Sequence, residues 1–360
     1  MKIFIDIIHP ANIHYFKNFI NEMKNENNSI FITCRDKDVS LSLMDSYKFS
    51  YTNLGTGIIG RGAIGKLIYL FYATAKFFFL FFKNHFYSKS NKIDISISFG
   101  SAPLAFVSWI FRVPHISFDD TEHAKLIKAL YIPFSDLVIS PNSFYSNLGD
   151  KHFKFNGFME LFYLHKNRFS PNPEILSKIG LSDSENFTLF RFVSWGAYHD
   201  INQKGLSIKN KLVLINEAKK NGKVFISSEG KLPAELQQYE LKINPSELHD
   251  ILFYAKLYIG EGGTMASECA MLGTPSIYVN SLPLMGYLKE AKKNNLLFHL
   301  SDITKIIVKM NNIYNTSNEL FNENAKAMLD KTIDPTAMLK WLVKKYPKIK
   351  VKLMTNKNYQ

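Results

Sequence analysis

Cysteine is scarce in this chain, with only Cys34 and Cys269 among 360 residues. One lies in a strand-like run and the other in a stretch of small residues with helical spacing, and neither has a metal-ligand neighbour at the usual spacing. A disulfide framework and a cysteine-based metal site are therefore excluded. Both thiols are expected to be reduced core residues of a cytoplasmic protein.

Other absences exclude further classes of protein. No repeat of solenoid period is present. The opening stretch 1–8 runs directly into a polar turn, so we expect a first strand there and not a signal peptide. With 46% hydrophobic and 21% charged residues, the chain is globular and not disordered, and its 360 residues suit two domains.

Acidic residues are missing from Arg61–Lys92, which holds six Lys or Arg. They are scarce in Lys331–Gln360, which holds eight Lys and one Asp. These two stretches account for the net charge of +13. No recognised nucleic-acid-binding motif accompanies them, so we expect no nucleic-acid partner.

The longest apolar run is Leu67–Phe82, LIYLFYATAKFFFLFF, in which Lys76 is the only charge. It is shorter than the roughly 20 residues that a spanning helix needs. With Lys66, Lys83 and Lys89 beside it, the run is typical of a helix lying in an anionic membrane interface, which predicts a peripheral protein on the inner face of the cytoplasmic membrane. A buried core helix with a snorkelling Lys76 and a transmembrane helix remain the alternatives.

Strand and helix patterns alternate in two series, which predicts an α/β fold with two Rossmann-like domains facing each other across a cleft. The first domain is expected over residues 1–165, with six strands, and the second over residues 166–334. Residues 335–360 are expected to form a helix that packs back on the first domain, followed by a basic tail.

The second series contains the apolar run Leu252–Ile259, which reads as a strand after a short helix. It leads into Gly260–Asn280, GEGGTMASECAMLGTPSIYVN, which reads as glycine turn, helix and strand. Gly262 and Gly263 allow close backbone approach, and the amides at the helix start, with Thr264, favour an anion such as a diphosphate. Glu268 lies one turn further along, where a carboxylate accepts hydrogen bonds from ribose hydroxyls. The alternative is a tight turn whose small residues serve helix–sheet packing.

Several segments together resemble a known family: DIIHPANIHYFKNF, TCRDKD, SFDDTEHAK, RFVSWGAYHD, SSEGKLP and HDILFYAKLYIGEGGTMASECAMLGTP. The chain looks like a family of uncharacterised prokaryotic proteins with the glycosyltransferase-B (GT-B) architecture. More distantly it is similar to the peptidoglycan N-acetylglucosaminyltransferase and to UDP-N-acetylglucosamine 2-epimerases. The resemblance implies the fold and the use of a nucleotide sugar, UDP-linked in those enzymes.

His14 follows the first strand and its turn, at the place where the peptidoglycan enzyme has a histidine near its acceptor. The resemblance implies that a neutral His14 takes a proton from the acceptor hydroxyl, with His9 and Asp6 as supports. A capping or turn histidine is the alternative.

Asp119–His123 holds four ionisable groups at the end of a predicted strand. Like charges raise a carboxylate pKa, so Asp120 and Glu122 are candidates for a general base or for binding sugar hydroxyls. A capping residue in a solvated acidic turn is the alternative. The epimerases carry an aspartate after the preceding glycine, whereas Gly100 is followed here by Ser101, which argues against full epimerase chemistry.

On the donor side, the resemblance implies that Arg191 or His199 stabilises the charge on the leaving diphosphate. Glu229, after the next strand, and Ile243, through its backbone, are further candidates for nucleotide binding. No aspartate pair has metal-site spacing, so we expect neither a metal nor a cofactor.

The sequence therefore predicts a glycosyltransferase that moves a sugar from a nucleotide donor to an acceptor in capsule, lipopolysaccharide or glycolipid synthesis. A 2-epimerase or hydrolase acting on the nucleotide sugar alone is one alternative. A binding or scaffold protein that has lost turnover is the other.

Overall fold

The computed structural model describes residues 1–59, 62–86, 92–122, 124–192, 206–228 and 232–346. Its contacts divide the chain into unit 1, Met1–Arg168 with Thr332–Gln360, and unit 2, Phe169–Lys331. Each unit has one sheet of parallel strands flanked by helices. The predicted α/β class is confirmed.

Unit 1 contains seven strands and seven of the described helices. The strands are β1 (Lys2–Ile7), β2 (Ser29–Cys34), β3 (Thr52–Asn53), β4 (Ile95–Phe99), β5 (His115–Phe118), β6 (Leu137–Pro141) and β7 (His152–Phe155). The helices are α1 (Pro10–Asn25), α2 (Ser40–Ser46), α3 (Gly62–Phe86), α4 (Ala102–Ile110), α5 (Lys125–Tyr131), α6 (Leu161–Leu164) and, from the far end of the chain, α14 (Pro335–Lys345). The strand order is β3-β2-β1-β4-β5-β6-β7.

Two predictions for unit 1 were wrong in detail. Six strands were predicted, but β7 is a seventh at the sheet edge, and its four residues are too few for a clear alternation. A turn was predicted between the first strand and His14, but helix α1 already begins at Pro10, because the His9 ring accepts the amide hydrogen of Ala11 and proline suits the first helical position.

Helix α3 is longer than the apolar run from which it was predicted, with 25 residues. Tyr69, Ala73, Phe77 and Phe81, four residues apart, are buried in a core cluster that includes Phe4 of β1. Their side chains are at most 3% exposed, so this stripe holds α3 against the sheet. By length and composition alone, Gly62–Asn84 is the one helix of the described residues that qualifies to cross a membrane.

Helix α14 completes unit 1. Its Thr336, Leu339 and Leu342 are buried, and the Thr336 hydroxyl donates to the carbonyl of Phe162 at 2.8 Å. Lys340 Nζ lies 2.8 Å from a carboxylate oxygen of Glu22 on α1.

Unit 2 contains five strands and seven of the described helices. The strands are β8 (Phe187–Phe192), β9 (Lys223–Ser228), β10 (Leu257–Gly260), β11 (Ser276–Tyr278) and β12 (Leu297–His299). The helices are α7 (Glu174–Lys178), α8 (Ile208–Ala218), α9 (Leu248–Tyr254), α10 (Gly263–Leu272), α11 (Gly286–Lys293), α12 (Ile303–Tyr314) and α13 (Asn318–Leu329). The strand order is β12-β11-β10-β8-β9.

The strand order of unit 2 reverses between β8 and β10, which pair in parallel with Arg191 opposite Gly260. In open parallel sheets, ligands bind beyond the carboxyl ends of the strands at such a reversal. The same reversal occurs in unit 1 between β1 and β4. The carboxyl ends of the strands at these two reversals are therefore the places to look for a ligand-binding site in each unit.

Candidate functional site

Helix α10 begins at the strand reversal of unit 2 without a capping side chain. Gly262 precedes the helix and Gly263 is its first residue. The first amides of a helix have no carbonyl partner within it, so they favour an anion. A Cβ atom at Gly263 would lie 3.3 Å from Leu288 Cδ1 and 3.4 Å from the Tyr287 hydroxyl. Close packing at this glycine is therefore observed, and diphosphate binding stays a prediction.

Glu268 is paired with a histidine that sequence reasoning did not single out. Its Oε1 lies 3.1 Å from Nε2 of His249 on α9, and the two side chains are only 5% and 4% exposed. A buried carboxylate that accepts a hydrogen bond from an imidazole is held in one orientation. Thr264, half-buried one turn earlier, lies on the same face of α10. The predicted ribose contact of Glu268 is not tested by this pairing.

Glu261, between β10 and the glycine pair, is a second buried acid that the sequence reading missed. It is 3% exposed, and its Oε1 accepts the backbone N–H of Leu206 at 2.8 Å. Leu206 lies two residues before α8. Glu261 therefore fixes the chain entering α8 beside the start of α10.

Arg191, near the end of β8, extends toward the neighbouring strand. Its Nη1 donates to the Ser227 hydroxyl on β9 at 2.7 Å. Its carbonyl accepts the N–H of Glu261 at 3.2 Å. A guanidinium is therefore fixed at the carboxyl edge of the sheet by a bond to β9, and the backbone of Arg191 pairs with β10, the strand that leads to the glycine pair. Ile243 is half-buried in the loop before the short 3-10 helix Pro245–Glu247.

Two predicted nucleotide-binding residues, His199 and Glu229, lie outside the described residues. The same holds for His123 of the acidic cluster. Among the residues that are described, no group of three His, Cys, Asp or Glu could hold a metal ion. Metal independence stays a prediction.

An open basin of about 620 Å³ follows β11 in unit 2. It is lined by the loop Ser281–Leu284, by His299 and by Lys289, Lys292 and Lys293 of α11. The sequence reading did not anticipate it, because the loop carries no recognisable motif.

The acidic cluster of unit 1 follows β5 and is tightly bonded. Asp119 accepts a short hydrogen bond from the Tyr131 hydroxyl and a 2.8 Å bond from the N–H of Thr121. The Thr121 hydroxyl donates to Asp120 at 3.0 Å. Lys128, 5% exposed, donates to the carbonyl oxygens of Thr121 and Glu122 at 2.7 and 3.0 Å. The segment is thus built into the fold, which the alternative of a solvated acidic turn did not foresee.

The pKa of Asp120 is raised to about 7, first by burial and second by the charge of Asp119. Burial also raises the pKa of Asp119. The prediction that a carboxylate pKa is raised here is confirmed, although burial contributes more than like charge. A carboxylate that titrates near neutral pH can both accept and return a proton under physiological conditions.

This raised pKa predicts a pH dependence of stability. Between about pH 4 and pH 7 the folded chain keeps a proton on Asp120 that the unfolded chain releases, so the free energy of unfolding falls as pH rises through this window. Asp120→Asn should make the midpoint of urea unfolding fall less steeply over this range. The control, Asp150→Asn at an exposed turn, should keep the wild-type slope. If the urea midpoint fell equally steeply with pH in wild type and in both variants, the raised pKa of Asp120 would be contradicted.

Ser101 follows Gly100 in the turn after β4, where the resemblance to the epimerases implied an aspartate. It precedes α4, and its N–H donates to the Ser98 hydroxyl at 3.2 Å. The N–H of Gly100 donates to the Ser117 hydroxyl at 3.1 Å. The turn after β4 is therefore held by hydroxyl groups and contains no acid of its own.

His14 lies in the second turn of α1, inside an aromatic cluster. It is 8% exposed, its Nδ1 is 3.2 Å from the Tyr47 hydroxyl, and its ring centroid is 5.3 Å from that of Tyr163. Its predicted support Asp6 is fully buried and accepts the Thr33 hydroxyl at 2.7 Å. The catalytic role of His14 stays a prediction.

Comparison with known proteins places this geometry in a family. Residues 1–346 match the family described as "Protein of unknown function (DUF354)". The chain is 24% identical over 323 residues to "Uncharacterized protein MJ0665" of Methanocaldococcus jannaschii, covering 85% of this chain and 90% of that protein.

Two solved structures are similar in fold. One is UDP-GlcNAc 2-epimerase from Neisseria meningitidis bound to UDP-GlcNAc, with a TM-score of 0.63, 12% identity and coverage of 99% of this chain and 100% of that one. The other is spinosyn rhamnosyltransferase SpnG complexed with spinosyn aglycone, with a TM-score of 0.60, 10% identity and coverage of 95% and 99%. These likenesses confirm the predicted fold, that of GT-B glycosyltransferases and 2-epimerases.

Proposed function

We propose that this chain, which belongs to the family described as "Protein of unknown function (DUF354)", is a glycosyltransferase. It would transfer a sugar from a nucleotide donor, UDP-linked, to an acceptor of cell-surface polysaccharide or glycolipid synthesis. The proposal includes a cytoplasmic location and independence of metal ions.

The observation that carries the proposal is the arrangement at the strand reversal of unit 2. The uncapped amides beside Gly262 and Gly263 suit a diphosphate, and Glu268, held by His249, lies one turn into the same helix. Arg191 lies on β8, the strand next to β10, with its guanidinium bonded to Ser227 on β9, and it would balance the negative charge that develops on the leaving nucleotide. The Neisseria structure that shares the fold contains a UDP-sugar.

Transfer also needs a group that removes the proton from the acceptor hydroxyl. We assign this role to Asp120, because its pKa of about 7 matches neutral conditions and its side chain is partly exposed. Glu122 is more deeply buried, at 4% exposure, and is less accessible to an acceptor. His14 is the competing candidate for the base.

Epimerisation of the nucleotide sugar is the second candidate function. It is favoured by the similarity in fold to the Neisseria epimerase and by the paired acids Asp119 and Asp120. The serine at position 101 disfavours it, because the turn after β4 then lacks a proton-transferring group. A binding protein without turnover is the third candidate.

A panel of nucleotide sugars, read by proton NMR and mass spectrometry with and without lipid-linked acceptors, separates these functions. A transferase releases free nucleotide and a larger acceptor only when both substrates are present. An epimerase or hydrolase alters the donor alone, and a binding protein alters neither. Altered donor without any acceptor would overturn the transferase proposal.

A further inference from the structure

Helix α3 exposes an apolar face opposite the stripe that holds it to the sheet. Phe71 and Phe79 are 69% and 65% exposed, and Ile64 is 74% exposed. The face is completed at helical spacing by Leu67, Ile68, Tyr72, Phe78 and Phe82. Singly exposed apolar residues are common on proteins, but a contiguous face of this kind marks an interaction surface.

The face continues onto α4 and α5. Trp109 and Ile110 at the end of α4 are exposed, as are Leu126, Ile127 and Leu130 on α5. Aromatic contacts join the helices. The ring centroids of Phe78 and Phe111, just after α4, are 5.1 Å apart, and those of Trp109 and Phe134, just after α5, are 5.5 Å apart. We call the exposed apolar residues of α3, α4 and α5 the apolar face.

The sheet topology places these three helices on one side of unit 1. Right-handed crossovers from β3 to β4, from β4 to β5 and from β5 to β6 all run in the same direction across the sheet. The crossovers from β1 to β2 and from β2 to β3 run in the opposite direction, so α1 and α2 cover the other side. The exposed residues of the apolar face therefore all lie on one side of the sheet of unit 1.

The charge on this layer has one sign. Helices α3, α4 and α5 contain no Asp or Glu. Their lysines include Lys66, Lys83 and Lys125, which are exposed, and Lys76, whose Nζ lies 5.3 Å from the centre of the Tyr72 ring. A second copy of the chain on this face would bring like charges together, whereas an anionic lipid surface complements them.

We propose that the apolar face binds an anionic bilayer, with α3, α4 and α5 lying along the headgroup region. Helix α3 does not cross the bilayer, because its other stripe is built into the core with Phe4 of β1, and a crossing would place the sheet in hydrocarbon. Phe71, Phe79 and Leu126 enter the acyl boundary, and the lysines contact lipid phosphates. Membrane binding does not rest on the proposed catalytic activity.

Sedimentation with vesicles tests this proposal on the full chain. The protein should sediment with vesicles containing phosphatidylglycerol and much less with pure phosphatidylcholine. Phe71→Ser combined with Phe79→Ser should lower the partition coefficient roughly tenfold or more, since two phenylalanine side chains then lose their apolar burial. Lys83→Gln and Lys125→Gln should each lower it about fivefold on anionic vesicles only.

A matched double variant, Val308→Ser with Leu320→Ser, removes two exposed apolar side chains of unit 2 and should bind vesicles like wild type. Wild type that does not sediment with anionic vesicles would overturn the proposal. Unchanged binding by the phenylalanine double variant would overturn it as well.

Tryptophan quenching gives a second test, in which the variant that keeps only Trp109 leaves the apolar face unchanged. Trp109 and Trp341 are 59% and 48% exposed, the latter on α14, which packs on α1 at the other side of the sheet. A variant that keeps only Trp109 should be quenched by vesicles of brominated anionic lipid. A variant that keeps only Trp341 should not, and equal quenching of the two would contradict the assigned face.

Discussion

Asp120→Asn is expected to lower turnover about 100- to 10,000-fold, the usual contribution of a positioned general base. Asparagine keeps the shape of the side chain and can still accept the Thr121 hydroxyl hydrogen bond. What it loses is the ability to take a proton from the acceptor. Steady-state turnover with the donor and acceptor found in the panel, beside calorimetric UDP affinity, measures the effect, and the affinity should stay close to wild type.

The pH profile tests the same assignment from the wild-type side. A base must be ionised, so turnover should rise with pH through about 7 and level off above it, following the raised pKa of Asp120. The Asn variant should lack this rising limb. A falling limb near pH 7 would instead identify Asp120 as an acid.

His14→Gln is the competing variant. His14 is buried and hydrogen-bonded to Tyr47, so its replacement should reduce turnover much less than Asp120→Asn does. If His14→Gln removes turnover while Asp120→Asn remains active, the base is His14.

Glu268→Ala is expected to weaken UDP binding by roughly 1–3 kcal/mol, or about 5- to 150-fold. The buried carboxylate is held by His249 and, in the proposed function, accepts hydrogen bonds from ribose hydroxyls. Its removal takes away those bonds and also leaves His249 without its carboxylate partner. Isothermal titration calorimetry with UDP measures the affinity, and urea unfolding measures the accompanying loss of stability.

Two controls separate binding from folding. Glu268→Gln keeps an oxygen that His249 can reach, so its stability should stay nearer wild type while UDP affinity still falls. Glu160→Ala removes a carboxylate of similar burial, 2% exposed, from unit 1 and should leave UDP affinity unchanged. Unchanged UDP affinity of Glu268→Ala would remove the assigned nucleotide role.

Local sequence patterns were enough to predict the elements that position the donor site. The order strand, glycine pair, small-residue helix, glycine and strand predicted β10, α10 and β11, because each boundary has its own local signal. Gly273, for example, ends α10 with a φ of +79°, a conformation that favours glycine. The apolar run Leu252–Ile259 was less clear, since it holds the end of α9 as well as β10 and hydrophobicity does not mark the border between them.

Long-range pairs could not be predicted in this way. His249 is 19 residues from Glu268, and Tyr131 is 12 residues from Asp119. Neither spacing is that of a helix turn or a strand alternation, so only the folded chain brings these partners together. For the same reason, the sequence predicted a raised pKa at the acidic cluster from like charges but could not supply the burial that is its larger cause.

The position of α14 determines the order in which the protein can fold during synthesis. Thr336, Leu339 and Leu342 are integral to unit 1, yet the ribosome makes them after every residue of unit 2. Unit 2 is one continuous segment, so the nascent chain can complete it first. Until α14 is made, the surface of α1 that α14 covers stays exposed, and we expect a chaperone to bind the nascent chain there.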